Sequence, residues 1–155
     1  MGKQYWLMKS EPDVFSFEDL KKAHKQTTFW DGVRNYEARN FLRDKIKKGD
    51  GVLYYHSNAE PSGVAGLAVV VKEGYPDPTQ FDPKDDHYDA DSKKDEPRWY
   101  GVDVQYGEAF KKMVTLEDIR KTPALKNMML LKRGRLSVTP VTPEEWKIIL
   151  KLGGL

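Results

Sequence analysis

The chain has 155 residues, about one domain's worth, and its 39% hydrophobic and 12% aromatic content excludes a disordered polymer, which would lack the apolar bulk to build a core. Lys and Arg number 26 against 24 Asp and Glu, so any attraction for nucleic acid must come from a local patch and not from the global field. The absence of cysteine excludes disulfides and thiolate chemistry; no apolar run could span a bilayer and no signal peptide is present, so a soluble cytosolic protein is expected.

Tyr5-Trp6-Leu7-Met8 reads as a buried first strand that ends in the polar Lys9-Ser10-Glu11, with Pro12 as its stop. Ser16 caps a helix with Glu18 and Asp19 in its first turn. Thr27 to Trp30 is a short strand, after which Ala38, Phe41, Leu42 and Ile46 recur at helical spacing. Asn35, Arg39 and Arg43, spaced by four, form a polar, cationic row on another face of that helix. Gly49-Asp50-Gly51 turns the chain into a strand over 52–56, and 64–72 is a second strand able to pair with it. Residues 74–97 hold seven Asp and four Pro with few aliphatics, which predicts a long surface excursion and not a second domain. Strand character returns over 98–110, Thr115 opens a short helix, and Leu136-Ser137-Val138 is a last strand ended by Pro140. Thr142-Pro143-Glu144-Glu145 is a capping box with Pro in the first helical position; Trp146, Ile149 and Leu150 form the buried stripe and Gly153-Gly154 the stop. The count predicts an α+β fold: a mixed β-barrel or curved sheet of five to six short strands flanked by helices, in a single domain over 1–155.

Two segments spend more polar and aromatic groups than local structure needs. One is Trp30-Asp31-Gly32-Val33-Arg34-Asn35-Tyr36-Glu37-Ala38-Arg39-Asn40, and the other runs from Tyr54-Tyr55-His56-Ser57-Asn58 to Gly66. Trp30 at a helix start offers a planar face, and Asp31, Arg34 and Asn35 offer edge hydrogen bonds, which together suit a flat heteroaromatic ligand such as a nucleobase. Bland readings stand beside this one: Trp30 as a core aromatic, the arginines as a solvated helix face, His56-Ser57-Asn58 as a turn, and Lys9 with Glu11 as a simple pair.

Catalytic and cofactor signatures fail in turn. Neither a phosphate-binding Gly-x-x-x-x-Gly-Lys loop nor a dinucleotide Gly-x-Gly-x-x-Gly is present, and Gly63-Val64-Ala65-Gly66 enters a strand. His24, His56 and His87 stand apart from one another, so no metal is expected. Asp89 to Asp95 begins like a calcium loop, but Lys93 and Lys94 occupy ligand and glycine positions. No strand-turn-helix elbow supports a nucleophile. No cofactor is expected and no enzymatic turnover.

Five blocks carry a resemblance: 5–12, 30–40, 55–58, Pro97-Arg98-Trp99-Tyr100-Gly101-Val102-Asp103-Val104 and Leu136-Ser137-Val138-Thr139-Pro140-Val141. They resemble the EVE domain family from about Tyr5 to Gly153. The resemblance implies a PUA-like fold related to the YTH domains, which read methylated adenine in RNA through an aromatic pocket. It also implies a reader of modified bases, modified cytosine or methylated adenine, in DNA or RNA. Trp30 would be the pocket wall. Lys9, Ser10, Glu11, Asp31, Tyr55, His56, Ser57 and Asn58 would line it, with Val33 and Asn35 presenting free backbone N–H groups. Gly63 would let the ligand or a neighbouring strand approach, and Arg34, Arg39 and Arg43 would hold the nucleic-acid backbone. Tyr36, Tyr55 and Trp99 are the candidates for further aromatic walls. Eukaryotic members carry a basic disordered segment ahead of the domain, so a monomeric, cytoplasmic bacterial protein is expected here, nuclear if the source is eukaryotic. The rivals are an enzyme acting on modified bases, with Glu11, Asp31 and His56 as its only candidate groups, and a module for a small molecule or a protein partner.

Overall fold

In a computed structural model describing residues 3–155, the first apolar run becomes β1 (Tyr5–Ser10). Met1 and Gly2, which the single-domain expectation includes, lie outside the described residues. The other strands are β2 (Thr27–Phe29), β3 (Gly51–His56), β4 (Gly63–Pro76), β5 (Tyr100–Thr115) and β6 (Val138–Val141). They form one mixed sheet in the order β2-β5-β4-β3-β1-β6. Only β1 and β3 run parallel, Tyr5 opposite Gly51 through Ser10 opposite His56.

The expected barrel does not close, since β2 and β6 are the two ends of the ladder. Nor are all strands short: β4 has 14 residues and β5 has 16, and their pairing shifts register at four places. Such bulges bend and twist a ribbon, which lets one long hairpin contribute to both cores. Pro140 does not end the last strand; it sits within β6 opposite Trp6, on a sheet edge where a missing N–H costs no ladder bond.

The helices are α1 (Pro12–Phe15), α2 (Phe17–Lys22), α3 (Tyr36–Asn40), α4 (Leu116–Arg120), α5 (Met129–Lys132) and α6 (Pro143–Leu152). Pro12 therefore does more than stop β1, because it opens the one-turn α1. The helix expected through Ile46 continues from α3 as a π-turn over Phe41–Lys45, with the Ile46 N–H reaching back to the Phe41 carbonyl. Capping boxes close the starts of α2 (Ser16 with Asp19), α4 (Thr115 with Asp118) and α6 (Thr142 with Glu145).

The sheet buries both faces, which is why its inner strands read as unbroken apolar runs. Trp6, Met8, Val52 and Tyr54 face a core completed by Phe17 and Leu20 of α2 and by Ala38 and Leu42. Leu7, Leu53, Tyr55 and Val64 point the other way, to Ile119 of α4, Leu130 of α5 and Ile149 of α6. The parallel pairing of β1 with β3 brings their polar C-terminal ends side by side, and the Ser57 N–H extends the ladder to the Ser10 carbonyl.

Candidate functional site

The end of β1, α1 and the loop after β2 enclose a cleft of about 450 Å³. Trp30, Phe29 and Phe15 supply its aromatic walls, and Lys9, Glu11, Asp31 and His87 its charged or polar groups. Trp30 is held in place twice. Its backbone N–H donates to the Val102 carbonyl, and its ring meets Tyr54 edge to face at 5.2 Å and 80°. At 7% exposure it belongs to the first core while its remaining surface lines the cleft, so being a core aromatic does not remove Trp30 from the cleft wall. Phe15 is fixed through its carbonyl, which accepts from Ser10 Oγ at 2.8 Å and from the Tyr54 hydroxyl at 2.7 Å. Burial pushes the Tyr54 hydroxyl up, so it stays a donor at any physiological pH.

Asp77 sets the loop after Trp30. Its fully buried carboxylate accepts from the Gly32 N–H at 2.8 Å, from Arg34 Nη1 at 3.1 Å, and from the Thr79 N–H and hydroxyl at 2.8 and 2.6 Å. Burial alone would raise this carboxyl, but the Thr79, Gly32 and Arg34 donors outweigh it and hold it below the usual value of 3.8. Arg34 also donates to the His87 carbonyl through Nε and Nη2, at 3.1 and 2.7 Å. Its guanidinium is thus committed inside the protein, and the expected role on a nucleic-acid backbone is displaced by this internal one. The imidazole of His87 then packs against Gly32 at the cleft wall. Asp31 lies at the mouth; desolvation by the cleft walls raises its carboxyl, with the charges of Asp77 and Asp85 adding and His87 and Arg34 opposing.

The 74–97 excursion accordingly is more than surface. Gln80 is fully buried; its Nε2 donates to the Asp77 and Trp99 carbonyls at 2.7 and 2.8 Å, and its Oε1 accepts from the Ser92 hydroxyl and the Arg98 and Trp99 N–H groups. Two buried polar side chains, Asp77 and Gln80, give this aliphatic-poor stretch a defined shape. Asp89, at the head of the calcium-like run, accepts from Trp99 Nε1 at 2.7 Å. Among the described residues no group of three acidic or histidine side chains is arranged to hold a metal ion, and no helix is long and apolar enough to cross a membrane.

A second cleft of about 500 Å³ lies across Lys9-Ser10-Glu11 from the first and takes in Tyr55, Ser57 and Asn58, together with Ser62, Arg135 and Ser137. Lys9 Nζ donates to the Gly134 carbonyl at 2.7 Å, and desolvation lowers its pKa. His56 is turned away from this cleft; its Nε2 accepts from the Phe17 N–H at 3.0 Å, and desolvation lowers its pKa, which favours the neutral acceptor form. Gly63 is where a neighbouring strand, not a ligand, comes close, because a Cβ there would collide with the β5 backbone at Val114 and Thr115.

The remaining expected residues lie elsewhere. Val33 is buried in the first core, and Asn35 caps α3 by accepting from the Ala38 N–H at 3.0 Å. Tyr36 stacks on Trp99 at 5.0 Å and does not line the Trp30 cleft; Arg39 and Arg34 lie over those two rings. Arg39 donates to the Arg98 carbonyl, Arg43 pairs with Asp44 at 2.8 Å, and both line a third, polar cleft of about 430 Å³. Sequence reasoning missed Phe15, Phe29, Thr28, Val14 and His87. Phe29 is the last residue of β2 and directly precedes Trp30, and that adjacency was the available signal; Phe15 and His87 reach the cleft only through tertiary packing.

The EVE domain family model matches residues 4–152. Thymocyte nuclear protein 1 of Homo sapiens is 47% identical over 165 residues, spanning 96% of this chain and 73% of that protein. The crystal structure of human THYN1 protein in complex with 5-methylcytosine containing DNA is similar to this structure with a TM-score of 0.93 and 47% identity, covering 99% of each chain. A protein from Pseudomonas putida is similar at a TM-score of 0.91 and 43% identity, covering 96% of this chain and 99% of that one. Relatives this similar occur in vertebrates and in bacteria alike, so the expectation of a bacterial, cytoplasmic protein draws no support from them.

Proposed function

Since this chain belongs to the EVE domain family, we propose that it acts as a single domain that captures one modified nucleobase, foremost a modified cytosine in DNA, in the cleft walled by Trp30. The observation that carries this reading is the whole-chain likeness to human THYN1, whose structure holds 5-methylcytosine containing DNA. The chemistry of the cleft supports it. Phe15, Phe29 and Trp30 offer apolar walls to a planar ring, and Glu11 and Asp31 offer acceptors that suit the exocyclic amine of cytosine or adenine. Lifting a base from a duplex costs a few kcal/mol, which stacking worth roughly 1–3 kcal/mol and the edge hydrogen bonds must offset. A methyl group buried on an aromatic wall contributes about 0.8 kcal/mol, a preference of about four-fold. The role is recognition without turnover, and a eukaryotic source would place it in the nucleus.

The test is binding to matched oligonucleotides carrying cytosine, 5-methylcytosine, 5-hydroxymethylcytosine or N6-methyladenine, as DNA and as RNA. One modified strand is expected to bind tightest, and Trp30→Ala is expected to weaken it by about 1–3 kcal/mol and erase the preference. Because Trp30 also packs on Tyr54, the exposed Asp31→Asn variant is measured beside it and is expected to lose edge discrimination with the fold intact. Equal binding of all strands, or recovery of a chemically altered base, overturns the reading.

A further inference from the structure

The two clefts on either side of Lys9-Ser10-Glu11 differ in chemistry. The first has aromatic walls and carboxylate acceptors. The second has no phenylalanine or tryptophan among its lining residues and instead gathers hydroxyls, an amide and cations. Among the described residues the side chains of Ser57, Asn58 and Ser137 find no hydrogen-bond partner, and Arg135 is exposed with neither an ion pair nor a hydrogen bond. Four other arginines are spent: Arg34 on Asp77, Arg39 on the Arg98 carbonyl, Arg43 on Asp44, and Arg133 on Glu37 at 2.6 and 3.1 Å; Arg120, whose charge acts on the cleft-lining Tyr55, is exposed at the end of helix α4. Lys9 uses one proton on the Gly134 carbonyl and has two left.

We propose that this second cleft is a phosphate subsite, in which Arg135, Lys9, Ser57, Asn58 and Ser137 hold a backbone phosphate next to the captured base. The proposal rests on the base-reading function of the first cleft and moves Ser57 and Asn58 from the base edge to the backbone. Adjacency supports the assignment. The two clefts share Lys9, Ser10 and Glu11 as a common wall, so a nucleotide whose base enters the first cleft brings its own phosphates to the rim of the second. Donors predominate there, as an anion requires, and the one carboxylate, Glu11, stands on the shared rim where it also faces the base. A phosphate contact fixes register without reading sequence, so the two clefts divide position from identity between them.

The experiment pairs Arg135→Ala with a charge-neutral methylphosphonate placed in turn at each phosphate flanking the modified base of the oligonucleotide. Wild-type protein should lose several-fold in affinity at one of these positions, and Arg135→Ala should lose a similar factor on the natural strand and nothing further at that position. The variant's salt slope should fall by about one, its preference for the modified over the unmodified base should persist, and Arg135→Lys should restore part of the affinity. Arg133→Ala, which removes an equal charge already paired with Glu37, should show no such coupling to any phosphate. Losses from Arg135→Ala and from the neutral phosphate that simply add at both positions overturn the subsite while leaving base reading standing. Loss of modification preference in wild-type protein overturns base reading alone if the coupling persists, and absence of any oligonucleotide binding overturns both.

Discussion

Gly32 adopts φ +75°, a conformation open to glycine, and a Cβ built there would lie 2.7 Å from Cε1 and Nε2 of His87. Gly32→Ala should therefore lower stability by about 1–2 kcal/mol for the backbone alone, read by urea denaturation, with more from the clash. Gly32→Ala combined with His87→Ala should recover the clash part and keep the backbone part, and full recovery would show that φ carries no cost. At this scale some of the site was legible and some was not. Trp30 and Lys9 to Glu11 could be placed from residue type and position at a strand end. Arg34 could not, because the partners that commit its guanidinium, Asp77 and His87, lie 43 and 53 positions away and no local pattern announces them. His56 has the same history: its acceptor nitrogen serves the Phe17 N–H, 39 positions back.

At the scale of elements, the starts of α2, α4 and α6 were legible because a capping box is a contact between residues three apart. The stretch after β4 was not, since its order comes from Asp77 and Gln80 reaching across to Gly32, Arg34 and Trp99. Asp77→Asn should loosen this stretch and the Trp30 loop together, because an amide cannot accept from all four donors, at a cost on the order of 2–3 kcal/mol in chemical denaturation. The pH dependence follows from the same carboxylate. Its folded pKa lies below the unfolded value near 3.8, so the stabilisation is complete above that value and is lost as the pH falls through the folded pKa. Wild-type protein should lose stability over that acidic window more steeply than Asp77→Asn; identical profiles would mean that Asp77 does not couple folding to protons. Pro140 teaches a related point, for a proline stops a strand only where its missing N–H was needed, and β6 lies on the sheet edge.

At the scale of the whole molecule, chain ends meet in the sheet. β1 pairs with β6, Tyr5 stacks on Trp146 at 4.4 Å, and Ile149 is fully buried in the second core. Removing residues 138–155 would strip Val141 and Ile149 from that core and Val138 from the first, at about 1.5–3 kcal/mol each, against a total margin of roughly 5–15 kcal/mol. The truncated chain should lose cooperative thermal unfolding and its near-ultraviolet circular dichroism, and a sharp transition would show that the first core folds without the second.

What depends on neighbours along the chain could be read from the residues alone: most strands and the capped helices in their order, the placement of Trp30 and of the polar strand end, and the family resemblance, while the one-turn α1 and α5 escaped because four residues carry too little periodicity. Which polar groups remain free to meet a ligand depends on long-range packing. Ser57, Asn58, Ser137 and Arg135 remain so while Arg34, Asn35 and His56 do not, because a hydrogen bond satisfied across tens of residues leaves no trace in local composition.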